Sequence, residues 1–74
     1  MSTSYFRFVF SDLPLSVTVA LPFEVKDDDL GFYNIMWGVI EYNFRTSRSN
    51  LIAFTHITED DFENCLLKVD FRDK

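Results

Sequence analysis

The segment from Leu30 to Phe44 constrains the fold of this chain most. Ten of its fifteen residues are apolar or aromatic. The small and polar residues recur at spacings of three and four, and they are Gly31, Asn34, Gly38, Glu41 and then Arg45. This spacing predicts an α-helix with one narrow polar stripe. At about 100° per residue, the remaining apolar arc spans about 240°.

The same segment has a rival interpretation as β-strand, since its aromatic and β-branched residues are common in sheets. Asn34, Gly38 and Glu41 break a period of two and fit a period of 3.6, which favours the helix. Asp27, Asp28 and Asp29 precede it. Such a triplet is typical of a helix start, where a carboxylate accepts hydrogen bonds from free N–H groups. Contact with a basic partner is the alternative role of these three residues.

The apolar arc is wider than the face of about 100° that a surface helix of a small domain needs. We therefore expect part of it to be covered by another protein or by a second copy. Tyr33, Trp37 and Phe44 lie within about 40° of one another on this helix. Trp and Tyr are typical interface anchors but also ordinary core residues, so both roles stay open. If the sheet covers the face with Phe32, Met36 and Val39, the Trp37 flank is left for a partner.

Two alternating segments before the helix predict strands. From Tyr5 to Phe10, the phenylalanines at 6, 8 and 10 share one face. Leu15 to Leu21 alternates in the same way, and a turn from Ser11 to Pro14 joins the two segments into a hairpin. Pro22 closes this hairpin or lies on an edge.

The second half of the chain predicts strand, helix and strand. A polar loop from Thr46 to Asn50 precedes Leu51 to Ile57, whose two mainly apolar faces indicate a central strand covered on both sides. Thr58 to Asp61 resembles a capping box and predicts a short helix to about Asn64. Leu67 to Arg72 alternates like a half-exposed strand, although an extension of the short helix to Val69 is the alternative.

Together these elements predict one domain over residues 1–74 with an α+β fold. The element order is β-β-α-β-α-β, in an antiparallel or mixed sheet of about four strands. The long helix packs on one face of this sheet. A domain of 74 residues has a small core, which supplies only about 3–5 kcal/mol of net stability.

Charge and cysteine content narrow the partners and the compartment. The net charge is −5, which disfavours binding to nucleic acid or to an anionic membrane and permits a partner with a basic surface. Cys65 is the only cysteine, so an intrachain disulfide is excluded, and one free thiol suits a reducing cytoplasm. We expect no signal peptide and no membrane-spanning helix, because Arg7 interrupts the first apolar run and the long helix is too short.

The chain shows no motif that predicts catalysis or a cofactor. His56 is the only histidine, and we expect it to pack near a strand end. Glu59, Asp60 and Asp61 lack the spacing of a calcium loop and suit a solvated first helical turn. The phenylalanines at 6, 8 and 10 resemble a base-stacking surface, but the acidic charge favours core packing.

These features predict a small acidic cytoplasmic protein that is not an enzyme and acts by occupying the surface of another protein. Inhibitors, antitoxins, immunity proteins and phage-encoded anti-defence or host-takeover proteins belong to this class. The predicted partner-binding residues are three aromatics and six acidic residues: Tyr33, Trp37, Phe44, Asp27, Asp28, Asp29, Glu59, Asp60 and Asp61. The alternative is a structural homo-oligomer that buries its apolar helix surface against its own copy.

Overall fold

The computed structural model describes residues 3–22 and 30–72, and six main elements follow one another there. They are β1 (Ser4–Phe10), β2 (Val17–Leu21), α1 (Leu30–Phe44), β3 (Leu51–His56), α2 (Glu59–Glu63) and β4 (Leu67–Asp70). One 3-10 turn at Arg48–Asn50 leads into β3. This is a small α+β fold with the predicted element order. The rival strand for residues 32–44 and the extension of α2 to Val69 are both wrong.

The four strands form one mixed sheet in the order β3-β1-β2-β4. β1 pairs antiparallel with both β2 and β3, whereas β4 runs parallel to β2. The hairpin of β1 and β2 is therefore the centre of the sheet, and β3 and β4 are its edges. The alternation in β2 begins at Leu15, but the strand begins at Val17, because Leu15 lies in the exposed link after Pro14.

The main core lies between α1 and one face of the hairpin. Phe6, Phe8 and Phe10 alternate onto this face with the inward residues of β2, and all are buried. From α1, Met36 and Ile40 complete the buried cluster. The expected core packing of the three phenylalanines is confirmed.

The short helix α2 covers the opposite face of the sheet. Its one buried residue, Phe62, lies with its ring centroid 5.4 Å from that of Tyr5. Thr18 and Ala20 on the same face of β2 are fully buried, and the Thr18 hydroxyl donates a hydrogen bond to the Leu67 carbonyl at 3.1 Å. β2 is therefore the strand that is buried on both faces.

The expected position of β3 is wrong. Its two apolar faces predicted a central strand, but it lies at an edge and most of its side chains are exposed. The physical reason is the strand order. β4 returns parallel to β2 and pairs with it, so β1 and β2 are the central strands and β3 is left at an edge.

Local hydrogen bonds explain where the two helices end and begin. α1 ends in a Schellman motif, in which Arg45 takes a left-handed conformation (φ 54°) and Thr46 donates its N–H to the Glu41 carbonyl at 3.3 Å. The predicted capping box of α2 is confirmed, since the Thr58 hydroxyl accepts the Asp61 N–H at 3.2 Å and the Asp61 carboxylate accepts the Thr58 N–H.

Candidate functional site

An apolar groove of about 320 Å³ opens between α1 and the strands β1 and β3. We call it the aromatic groove. Its lining residues come from both central strands, from α1 and from β3, and they are Phe6, Phe8, Leu21, Tyr33, Met36, Trp37, Leu51 and Phe54. A concave apolar surface of this size accommodates one or two large side chains of another protein.

Trp37 forms one wall of the groove and is held by aromatic contacts. Its ring centroid lies 5.1 Å from that of Phe8 and 6.1 Å from that of Phe10, in an edge-on arrangement with the latter. The Arg48 guanidinium lies 5.8 Å from the Trp37 ring centroid, which is a cation–π distance. Trp37 is thus partly buried against the core, as are Tyr33 and Phe44.

The free side of α1 is not the Trp37 flank, which the structure covers with Phe8 and Phe10. It is the side that carries Ile35 and Tyr42, which are 63% and 85% exposed. Gly31 and Gly38 lie on this side too, and a methyl group added to either would meet no atom within 4 Å. The two glycines are therefore simply exposed and mark no close approach of another backbone in the described structure.

β3 borders the groove and presents the most exposed aromatic ring of its lining. Phe54 is 63% exposed although its ring centroid lies 6.2 Å from that of Phe8, and Ile52 beside it is 66% exposed. Pairing with β1 shifts its register near Val9, because Ala53 faces Val9 whereas Leu51 faces Phe10. Ile52 is the extra residue of this bulge.

The outer edge of β3 also presents backbone groups that do not bond to β1. Ile57 donates its N–H to the Tyr5 carbonyl, and alternate residues of an antiparallel ladder bond to the same neighbour. Thr55 therefore bonds towards β1, whereas the N–H and C=O groups of Phe54 and His56 face away from it. The His56 carbonyl accepts a hydrogen bond from the Thr55 hydroxyl at 3.3 Å and retains a second lone pair for another donor. Within residues 3–22 and 30–72, no strand pairs with this edge. β3 carries no Asp, Glu, Lys or Arg.

The other edge of the sheet, β4, carries charged side chains that form ion pairs. Arg72 bonds to the Asp70 carboxylate at 2.7 Å and lies 3.9 Å from Glu63, while Lys68 lies 3.6 Å from Glu63. The hydrogen bonds from Arg72 to Asp70 raise the pKa of the guanidinium above its usual value. Charged side chains are a common means of blocking edge-to-edge pairing, so the two edges of this sheet differ in kind.

An ion pair between Arg48 and Glu41 lies beside Trp37. Arg48 donates to Glu41 from its guanidinium at 3.1 Å and from its backbone N–H at 2.7 Å. These hydrogen bonds lower the pKa of Glu41 below its usual range. The pair holds the Arg48 guanidinium near the indole ring and ties the 3-10 turn before β3 to α1.

The predicted acidic residues of α2 do not border the aromatic groove. Glu59, Asp60 and Asp61 are exposed in the first turn of α2, on the opposite face of the sheet from α1. They follow the end of β3, and Asp61 is engaged in the capping box. Asp27, Asp28 and Asp29 lie outside the described residues. Of the predicted residues that the structure describes, it brings Tyr33 and Trp37 together in the groove, while Phe44 packs against the core.

Sequence patterns did not single out the two exposed residues of the edge strand. Ile52 and Phe54 resembled core residues, because an apolar strand without charges is typical of a sheet centre. No local signal in β3 distinguishes an uncovered apolar edge from a covered strand. The absence of charge in β3, compared with Lys68 and Asp70 in β4, becomes informative only once both strands are placed at edges.

His56 and Cys65 are the residues of this chain whose side chains are most often catalytic in enzymes. The His56 ring lies 4.2 Å from that of Phe6, as a packed histidine at a strand end should, although its side chain is exposed. Cys65 is a half-buried free thiol. No group of three or more His, Cys, Asp or Glu side chains in the described residues is arranged to hold a metal. Neither described helix has the length and apolar character needed to cross a bilayer.

Comparison of the chain with protein families, with curated proteins and with solved structures finds no match.

Proposed function

We propose that this chain is a small non-enzymatic protein-binding module that acts by occupying the surface of another protein. The observation that carries the proposal is the aromatic groove between α1 and the strands β1 and β3. The groove supplies a preformed pocket for large apolar side chains, and central apolar anchors provide most of the affinity in protein interfaces. Phe54 at its border remains 63% exposed in the isolated chain.

Charge supports a partner with a basic surface. The net charge of −5 slows encounters with other acidic proteins and speeds encounters with basic ones. Glu59 and Asp60 make no ion pair within the described residues, so they remain available for such steering. An inhibitor-type role, as in antitoxins, immunity proteins or phage-encoded anti-defence proteins, agrees with this combination of small size, acidity and an apolar docking surface.

A second candidate function is a homo-oligomer that buries the free side of α1. The observation that favours it is the exposure of Ile35 and Tyr42 on that side. It differs from the first in the surface that it uses, since these two residues lie away from the groove.

The experiment is site-specific photo-crosslinking in the cells that contain the protein. A photoreactive phenylalanine analogue replaces Phe54 in one variant and Leu66 in the control, which is 84% exposed between α2 and β4. We expect a distinct adduct with a second protein from position 54 and none from position 66. Adducts only between two copies of the chain, or equal labelling from both positions, would contradict the proposed function.

A further inference from the structure

We propose that β3 pairs antiparallel with β3 of a second copy, so that two four-stranded sheets join into one of eight strands. This assembly goes beyond the proposed function, because it forms without any other protein. The starting point is the outer edge of β3, which is unpaired within the described residues, uncharged and apolar. Such an edge is a template for another strand.

The backbone of β3 is complementary to itself across a two-fold axis. The outward N–H and C=O groups belong to Phe54 and His56, two residues apart. If Phe54 of each copy faces His56 of the other, both residues satisfy their outward groups in two reciprocal pairs. The axis then passes by Thr55. Across it, Phe54 and His56 side chains become cross-strand neighbours at about 5 Å between Cβ atoms.

The charges on either side of β3 favour the antiparallel direction and a second copy as occupant. Arg45 and Arg48 precede the strand, and three consecutive acidic residues, Glu59 to Asp61, follow it. Arg45 forms no ion pair within the described residues, whereas Arg48 pairs with Glu41. Antiparallel pairing places the start of one β3 beside the end of the other, so opposite charges meet at both ends. A parallel pair would place the acidic residues together.

The charged side chains at the β4 edge explain why assembly would stop at two copies. In the joined sheet both β3 edges are consumed, and the outer edges are the two β4 strands with their Asp70 and Arg72 ion pairs. The second copy also completes the aromatic groove. Phe54 and His56 face the α1 side of the sheet, so those of the second copy extend the wall of each groove across the axis.

The test is the solution mass of the purified full chain in a dilution series, by light scattering after size exclusion. We expect twice the chain mass of 8.7 kDa at high concentration. The variant Phe54→Lys should lower the mass to that of one chain. The matched control is Ile35→Lys, since Ile35 and Phe54 are both 63% exposed, and it should keep the dimer.

A second variant guards against loss of folding in Phe54→Lys. Thr55→Lys places the charge on the other face of β3, where the side chain is exposed and does not line the groove. Two such lysines would face each other across the axis, so this variant should also have the mass of one chain by light scattering, and circular dichroism should show that it is folded. A wild-type monomer at every concentration would overturn the proposal. So would a dimer that Ile35→Lys dissociates and both β3 variants leave intact.

Discussion

Replacement of Trp37 by alanine distinguishes a core residue from a surface anchor. Removal of a buried Trp or Phe side chain costs about 3–5 kcal/mol. Trp37 contacts the rings of Phe8 and Phe10 but is only partly buried, so we expect the lower end, about 3 kcal/mol. A residue that served only as an exposed anchor would change stability by about 0.5 kcal/mol or less.

The assay is urea denaturation followed by far-ultraviolet circular dichroism, because Trp37 is the only tryptophan and its fluorescence is lost in the variant. With an m-value of about 1 kcal/mol per molar urea, the midpoint should fall by about 3 M. Since the whole domain is stabilised by only about 3–5 kcal/mol, Trp37→Ala will be close to unfolding in buffer. Trp37→Phe retains a ring and should lower the midpoint by about 1 M.

Tyr42→Ala is the matched control on the same helix, because its aromatic side chain is 85% exposed. Its midpoint should lie within about 0.5 M of the wild type. Equal, small effects of the Trp37 and Tyr42 substitutions would refute the packing of Trp37 against the sheet.

Three further predictions concern single contacts. Gly38→Ala should raise stability by about 0.5–1 kcal/mol in thermal unfolding, because the added methyl group meets no atom within 4 Å and alanine favours the helix; a lower melting temperature would contradict the exposure of this position. Thr58→Ala should cost about 1 kcal/mol by removing the acceptor of the Asp61 N–H, measured by urea denaturation with Thr58→Ser as control. Glu41→Gln should lower the melting temperature at neutral pH. Hydrogen bonds from Arg48 hold the Glu41 pKa in the folded chain below its value in the unfolded chain, so the ionised carboxylate stabilises the folded state at pH values above the unfolded pKa. That difference should vanish as the pH falls through the lowered pKa, and a difference independent of pH would count against the ion pair.

Periodicity predicted the elements well because each is governed by local rules. The polar stripe located α1 from Leu30 to Phe44, and the Thr58 capping box located α2. Alternation located β1 and β4. These patterns depend on which side chains lie on one face of a single element, and the sequence displays that directly.

The partners of each face depend on tertiary packing and were predicted less well. An apolar arc of about 240° does not say which of its sides meets the sheet. The sheet covers the side of α1 that carries Met36 and Ile40. Trp37 packs against this core, whereas Ile35 remains exposed. Strand order is equally hidden, because the parallel return of β4 beside β2 moves β3 to an edge. The open edge and the groove follow from this order and not from any local pattern.

Amide hydrogen exchange of β3 in the purified chain, followed residue by residue by NMR, tests the open edge most directly. In a chain paired through β3, the N–H groups of Phe54 and His56 should exchange as slowly as that of Thr55, which bonds towards β1, and dilution should remove this protection for Phe54 and His56 alone. Fast exchange of the Phe54 and His56 amides at every concentration would contradict pairing between copies. Slow exchange that dilution does not alter would contradict the open edge itself, because those amides would then be bonded within the single chain.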